Sequence, residues 1–502
     1  MEQAMIHVLL FPVPAQGHVR AMLKLADLLH ASGFCVTFVN TERSHRRFLE
    51  SSPPPERPRF RFRTIPDGLP DDDTWRRAAP AGLSADALTF LLFLELFESM
   101  RTRSREHYRE LLVPADGGRD PDHWPPVACV LADSSIPLAF EVAEELKVPV
   151  MNVATNSACS IMAHLAIPEL IKRGEIPFPE DADMDEPVRG VAGMESFLRR
   201  RDLPSSFREA KSLDDRHLQF RMTVNSNLVR GSALILNTEE HIDSLILPHI
   251  RHVCPVTYAP GPPHLLLKSM NCGGVDDTET SSANLFEVDR SCMAWLDSQP
   301  DKSVVYVSLG SITVISKETF LEFWHGLVGT GRPFLWVIRR GMVEGGMEVG
   351  EMIGDEADVD EAARQRGCFV GWAPQEEVLA HAAVGCFLTH CGWNSTLESM
   401  VAGVPMVGWP FFTDQHINSR FVSEVWTVGV DMKDLNGRSV VERMVREVME
   451  GERAEEFRKN ASEMALMVKR SSEEGGSSYT SFKNLIEHIK SLSSAGEGSI
   501  NK

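Results

Sequence analysis

The chain has 502 residues, with 51 Lys and Arg against 71 Asp and Glu, a net charge of −20 with histidine neutral. That length points to about two to four domains, and 43% hydrophobic with 24% charged residues excludes global disorder. The acidic balance argues against nucleic acid or an anionic membrane surface as partner, since both would repel it, so an anionic substrate must be held by a local device.

Taken in order, the first residues carry no basic n-region and the apolar run 5–11 is short for a signal peptide, so a cytoplasmic location is expected. No apolar stretch reaches the roughly 18 residues that span a membrane. The nine cysteines are scattered without a C-x-x-C pair, as expected of reduced thiols. Residues 6–11 read as a strand covered on both faces. Met22, Leu25, Ala26 and Leu29 recur at helical spacing, Gly33 stops that helix, and 35–39 is the next strand. Short apolar strands recur at 128–132, 148–153 and 233–236, an alternation that implies a parallel sheet with helices on both faces. Residues 254–285, with Pro255, Pro260, Pro262, Pro263, Gly273 and Gly274, have linker composition. The alternation restarts with strands at 304–309, 334–338, 368–370, 386–389 and 404–407. Inserts at 51–59, 114–126 and 342–362 read as surface loops.

Two positions in the first half suggest proton chemistry. Pro14-Ala15-Gln16-Gly17-His18 follows the first strand, at the sheet edge where ligands of doubly wound folds bind. His18 can act there as a general base, although alone it reads more readily as a surface or capping residue. Asp133 ends the strand at 128–132, on the same sheet edge. It can orient an imidazole and stabilise imidazolium, or cap the helix expected near Ile136.

The second half concentrates its polar residues. Trp372-Ala373-Pro374-Gln375, His390-Cys391-Gly392-Trp393-Asn394-Ser395, Glu398 and Asp414-Gln415 fall within 44 residues. A helix opening near Asn394 offers free N–H groups and a dipole to an anion such as a diphosphate. His390, Asn394, Ser395 and, from a neighbouring strand end, Ser311 add donors. Glu398, one turn on, can grip paired ribose hydroxyls, and Trp372 offers a flat face to a base. Taken singly, the aromatics read as core, and Asn394 and Ser395 as helix caps.

Together these residues resemble the signature box of plant UDP-dependent glycosyltransferases. Pro14–His18 and Val307-Ser308-Leu309-Gly310-Ser311 match that family too, in the expected order. The resemblance implies an α/β fold of two facing Rossmann-like domains (GT-B type) with the active cleft between them. It divides the chain into an acceptor domain (1–253), a linker (254–285), a UDP-sugar domain (286–474) and a C-terminal helix (475–502) packing back on the first domain. It implies that Trp372 and Ala373 hold uracil, Gln375 and Glu398 the ribose, and His390, Asn394 and Ser395 the phosphates. Trp393, Asp414 and Gln415 would hold the sugar, and Gln415 accompanies glucose where a histidine accompanies galactose. His18, steadied by Asp133, would deprotonate the acceptor, whose oxygen displaces UDP with inversion. UDP-glucose is then a substrate, no cofactor or metal is expected, and the chain is expected to be a monomer. Phe62-Arg63-Thr64-Ile65-Pro66-Asp67-Gly68-Leu69-Pro70 is similar to branches handling terpenoid, cyanohydrin and phenolic acceptors, with hydroxyl and carboxyl groups both open. Where the family usually continues Val-Asn-Pro after its histidine, this chain has Val19-Arg20-Ala21. Arg20 is either a solvated first-turn residue or an added charge beside the acceptor.

The alternative is a non-catalytic nucleotide-sugar sensor of the same fold, which His18 and Asp133 argue against. A sugar-cleaving enzyme needs paired carboxylates flanking the bond, and none is identifiable. No complete G-x-G-x-x-G or G-x-S-x-G occurs, which removes the usual hydride-transfer and hydrolase readings. Asp71-Asp72-Asp73 and Asp181-Ala182-Asp183-Met184-Asp185 resemble acidic metal triplets. The second has Glu186 where an EF-hand needs Gly and Ala192 where it needs Glu, so both read as solvated loops.

Overall fold

Short apolar strands build two parallel sheets in the computed structural model, which describes residues 5–51, 56–69, 85–113, 124–270, 285–346 and 366–500. The first sheet contains β1 (His7–Phe11), β2 (Cys35–Thr41), β3 (Phe60–Ile65), β4 (Val127–Asp133), β5 (Val150–Ala154), β6 (Leu234–Leu236) and β7 (Thr257–Tyr258). Their spatial order is β3-β2-β1-β4-β5-β6-β7. The second contains β8 (Val304–Ser308), β9 (Phe334–Val337), β10 (Gly367–Val370), β11 (Val384–Thr389), β12 (Met406–Gly408) and β13 (Gly429–Asp431), in the order β10-β9-β8-β11-β12-β13. Every residue of β1, β2 and β8 is buried, because helices cover both faces of a parallel sheet.

In each sheet the strand order reverses once, between β1 and β4 and between β8 and β11. A crevice opens there beyond the carboxyl ends, the usual ligand site of such sheets. His18 and Asp133 lie at the first reversal; Ser311 and His390 lie at the second.

Three strands were not anticipated. β3 is an edge strand whose Phe60-Arg61-Phe62-Arg63 alternation serves one covered face, and β13 has only three residues. β7 lies inside the stretch expected as linker. It pairs with β6 at Leu234↔Thr257, and the helix Pro263–Ser269 adds Leu266 to the first core. Prolines suit this place because an edge strand has no further ladder to satisfy. Residues 271–284 of that stretch lie outside the described residues, as do Cys272, Asp71–Asp73 and most of the three inserts. The other eight cysteines are free thiols.

The last helix, Ser477–Ile500, crosses to the first half. Phe482, Leu485, Ile486 and Ile489 join Val8, Leu10, Val36 and Leu131 in one core. Ser478 Oγ donates to the Gly261 carbonyl at 2.6 Å, and the Ala259 N–H donates to Ser481 Oγ at 2.8 Å. No described helix is long and apolar enough to cross a membrane.

Candidate active site

His18 sits in the first turn of the helix Gln16–Ala31, and Asp133 is the last residue of β4. Because β1 and β4 are neighbours, the two side chains meet. His18 Nδ1 lies 2.6 Å from Asp133 Oδ2, with the carboxylate 1% exposed and the imidazole 32%. A carboxylate only accepts, so in the neutral ring the proton sits on Nδ1 and Nε2 keeps its lone pair. Thr155, just past β5, brings Oγ1 within 2.8 Å of Nδ1 and 3.4 Å of Oδ2. Sequence reasoning missed it; its only signal is its place after a strand paired with β4. Asp133 is not a helix cap. Its Oδ1 accepts the Ser135 N–H at 3.0 Å, and the helix Pro137–Glu145 starts from Ile136 without a side-chain cap.

At the second reversal His390 fits between two glycines. A Cβ on Gly310 (φ +85°) would lie 2.5 Å from His390 Nε2, and one on Gly392 would lie 2.4 Å away. Only glycine permits that approach. Burial keeps the imidazole neutral by pushing its pKa down to about 4. The helix Trp393–Ala402 begins at Gly392 without a side-chain cap, which leaves its first N–H groups available to an anion.

Asn394 and Ser395 therefore have other work than capping. Asn394 Nδ2 donates to the Gly17 carbonyl at 2.7 Å, tying the box to the residue before His18. Ser395 Oγ accepts from Gln375 Nε2 at 2.9 Å. Tyr306, a β8 residue also missed from sequence, fixes the Gln375 amide by donating to its Oε1 at 3.1 Å.

One cleft of about 1820 Å³, counting its open mouth, takes in His18, Thr155, Ser311 and every box residue named above except Pro374, Cys391 and Glu398. Trp372 stacks one face on Phe286, centroids 4.5 Å apart at 25°. Trp393 donates its indole N–H to the Asn237 carbonyl at 2.8 Å, so it supplies a wall and not a donor. Gln415 Oε1 accepts the N–H groups of Phe411 and Phe412 at 2.8 and 3.0 Å, leaving its amide N–H for a ligand. Asp414 is half-buried in the cleft wall, and desolvation raises its pKa, while hydrogen bonds from Asn418 and Thr413 oppose the shift.

Residues 235–469 match the family model "UDP-glucoronosyl and UDP-glucosyl transferase". The chain is 57% identical over 492 residues to myricetin 3-O-rhamnoside 1,2-glucosyltransferase of Crocosmia x crocosmiiflora, covering 98% of this chain and 97% of that one. It belongs to the plant UDP-glycosyltransferases. It is also 44% identical to 7-deoxyloganetic acid glucosyltransferase of Catharanthus roseus, over 97% of this chain and 98% of the relative. The crystal structure of Os79 from O. sativa with UDP matches at a TM-score of 0.75 and 29% identity, covering 97% of this chain and 100% of that one.

In this UDP-glycosyltransferase Arg20 is neither solvated nor a lone charge at the acceptor. It lies 2.7 Å from Glu376 and 3.3 Å from Glu398, and Lys24 pairs with both carboxylates. Burial pushes Glu398 upward against the pull of Arg20. For Glu376, burial acts the same way, but Lys24 and Arg20 outweigh it and hold the carboxyl well below its usual range. These four charges join the two halves. Glu398 also accepts from Gln375 Nε2 at 2.8 Å, and Gln375 stands between it and the cleft. Among the described residues no group of three or more His, Cys, Asp or Glu is placed to hold a metal ion. Asp185 of the second acidic triplet instead pairs with Arg199 and Arg201 at 3.0 and 2.7 Å.

Proposed function

We propose that this glycosyltransferase moves glucose from UDP-glucose, with inversion, to a hydroxyl of a small lipophilic plant metabolite. The observation that carries this reading is the 2.6 Å contact of His18 Nδ1 with buried Asp133 in the cleft that holds the donor box. His18 Nε2 takes the proton of the acceptor hydroxyl. The acceptor oxygen bonds to the anomeric carbon, the bond from that carbon to the diphosphate oxygen breaks, and UDP leaves with the electron pair. The helix start at Gly392 and the neutral His390 meet the charge growing on the diphosphate. A built base favours hydroxyl acceptors, since a carboxylate attacks without one. The cleft wall of Phe93, Phe97 and Phe220, with Phe97 and Phe220 stacked at 5.3 Å and 7°, suits a flat apolar body. Both glucosyltransferase relatives support glucose as the sugar.

Incubation with UDP-glucose and a pooled set of phenolic, terpenoid and cyanohydrin acceptors tests the proposal by mass spectrometry. Release of UDP with one hexose added to an acceptor is expected. Tight UDP-glucose binding with no acceptor modified would favour the sensor. UDP-glucose should exceed UDP-galactose by at least about tenfold in kcat/KM, because a site built to hydrogen-bond a hydroxyl rejects its misplacement; equal use of both would remove the glucose assignment. We further propose that no metal takes part. Activity should persist in excess EDTA, and complete loss restored by Mg²⁺ or Mn²⁺ would overturn that part.

A further inference from the structure

Three residues beyond the donor box, Asn418 is fully buried in the helix Gln415–Glu424 and satisfied at every polar atom. Its Nδ2 donates to the Cys391 carbonyl at 2.9 Å and to Asp414 Oδ2 at 3.0 Å. Its Oδ1 accepts from Ser157 Oγ at 2.6 Å, with Cys159 Sγ at 3.5 Å. The Cys391 carbonyl can only accept, so the amide has one allowed orientation. The second oxygen of Asp414 is held by Thr413 Oγ1 at 3.0 Å, and without Asn418 that carboxylate would lose one of its two side-chain restraints. Ser157 comes from the other half of the molecule. It lies two residues past Thr155, and it caps the helix Ala158–Leu165. The short run Thr155-Asn156-Ser157 therefore touches the His18–Asp133 pair at one end and, through Asn418, Asp414 at the other.

We propose that Asn418 is a positioning residue for the donor sugar: it fixes the Asp414 carboxylate against the acceptor-half loop carrying Thr155, and so sets the discrimination between hexose epimers. The proposal rests on the reading of Asp414 as a sugar contact. Its effect should spare the nucleotide. Trp372 and Gln375 make no hydrogen bond to Asn418, and the turn at Cys391 has its own support in the N–H bond to Thr389 Oγ1 at 3.2 Å. A sugar hydroxyl bound by a loosened carboxylate loses geometry, and an epimer that never fitted has less to lose.

The test uses the full chain and the variants Asn418→Ala, Ser157→Ala and Asp414→Asn. For each, thermal melting, UDP affinity by calorimetry, and kcat/KM with UDP-glucose and UDP-galactose are measured. In Asn418→Ala the glucose-over-galactose ratio should fall about tenfold, the scale of one lost hydrogen bond to a charged group. UDP affinity should stay within about threefold. Ser157→Ala should move the ratio the same way by less. An unchanged ratio in folded Asn418→Ala, or a parallel loss of UDP affinity, overturns the proposal. If Asn418→Ala does not fold, Ser157→Ala decides: a lowered ratio supports the proposal and an unchanged one overturns it. Asp414→Asn separates the two readings. An unchanged ratio there overturns the sugar reading of Asp414 and this proposal with it, whereas a ratio lost in Asp414→Asn but kept in Asn418→Ala overturns this proposal alone.

Discussion

Replacing His18 with alanine should lower turnover about 10²–10⁴-fold, the usual contribution of a positioned base. UDP affinity should hardly change, because the residues read as holding the nucleotide belong to the other sheet. Asp133→Asn should cost less than His18→Ala, since it keeps the shape but loses the partner that favours the charged ring. Thr155→Val should cost less again, because Thr155 only supplements the 2.6 Å contact between His18 and Asp133. The His18→Ala/Asp133→Asn pair should be little worse than His18→Ala alone, as groups acting as a unit are not additive. Near-normal turnover in His18→Ala, measured on an alcohol acceptor, would refute the mechanism and leave the fold untouched.

The second large effect concerns stability. Lys433 is 5% exposed and lies 2.8 Å from Asp202 and 2.7 Å from Asp431. Asp202 belongs to the first half, is fully buried and also meets Arg199 at 3.0 Å and Arg420 at 3.4 Å. Lys433→Met would leave two carboxylates under-compensated in the interior, which costs about 3–5 kcal/mol when a buried pair loses one partner. Urea melts at pH 7 should show that loss. Burial pushes the Asp202 carboxyl up, but Lys433 and Arg199 outweigh it and set it below its usual value. A depressed carboxyl contributes stability above its unfolded pKa of about 3.9 and loses it as pH falls through the folded value. The gap between wild type and Lys433→Met should therefore narrow on acidification toward pH 3. A gap that is absent at pH 7 would mean the ion cluster contributes nothing to folding.

Burial symmetry explains which parts of this fold were legible in the sequence. β1 and β8 are covered on both faces, so each appears as an unbroken apolar run. β3 is covered differently and carries arginines at alternate positions, while β7 has two residues, too few for any period. The donor box was legible because it is contiguous. Thr155 and Asn418 were not, because the contacts of Thr155 with His18 and of Asn418 with Ser157 span 137 and 261 positions. The charge of Arg20 could be read, but its neutralisation by Glu376, 356 positions on, could not.

The final helix gives the chain an order of completion. Phe482, Leu485, Ile486 and Ile489 pack beneath a sheet whose last strand ends at Tyr258. During synthesis at roughly 5–20 residues per second, on the order of ten to forty seconds separate the emergence of Tyr258 from that of Phe482. Throughout that interval the face of the first sheet over β4 and β7, Leu131 included, lacks the helix that will later cover it. The half made first is thus the half finished last, and a ribosome that stalls after the second half has emerged leaves the first one incomplete.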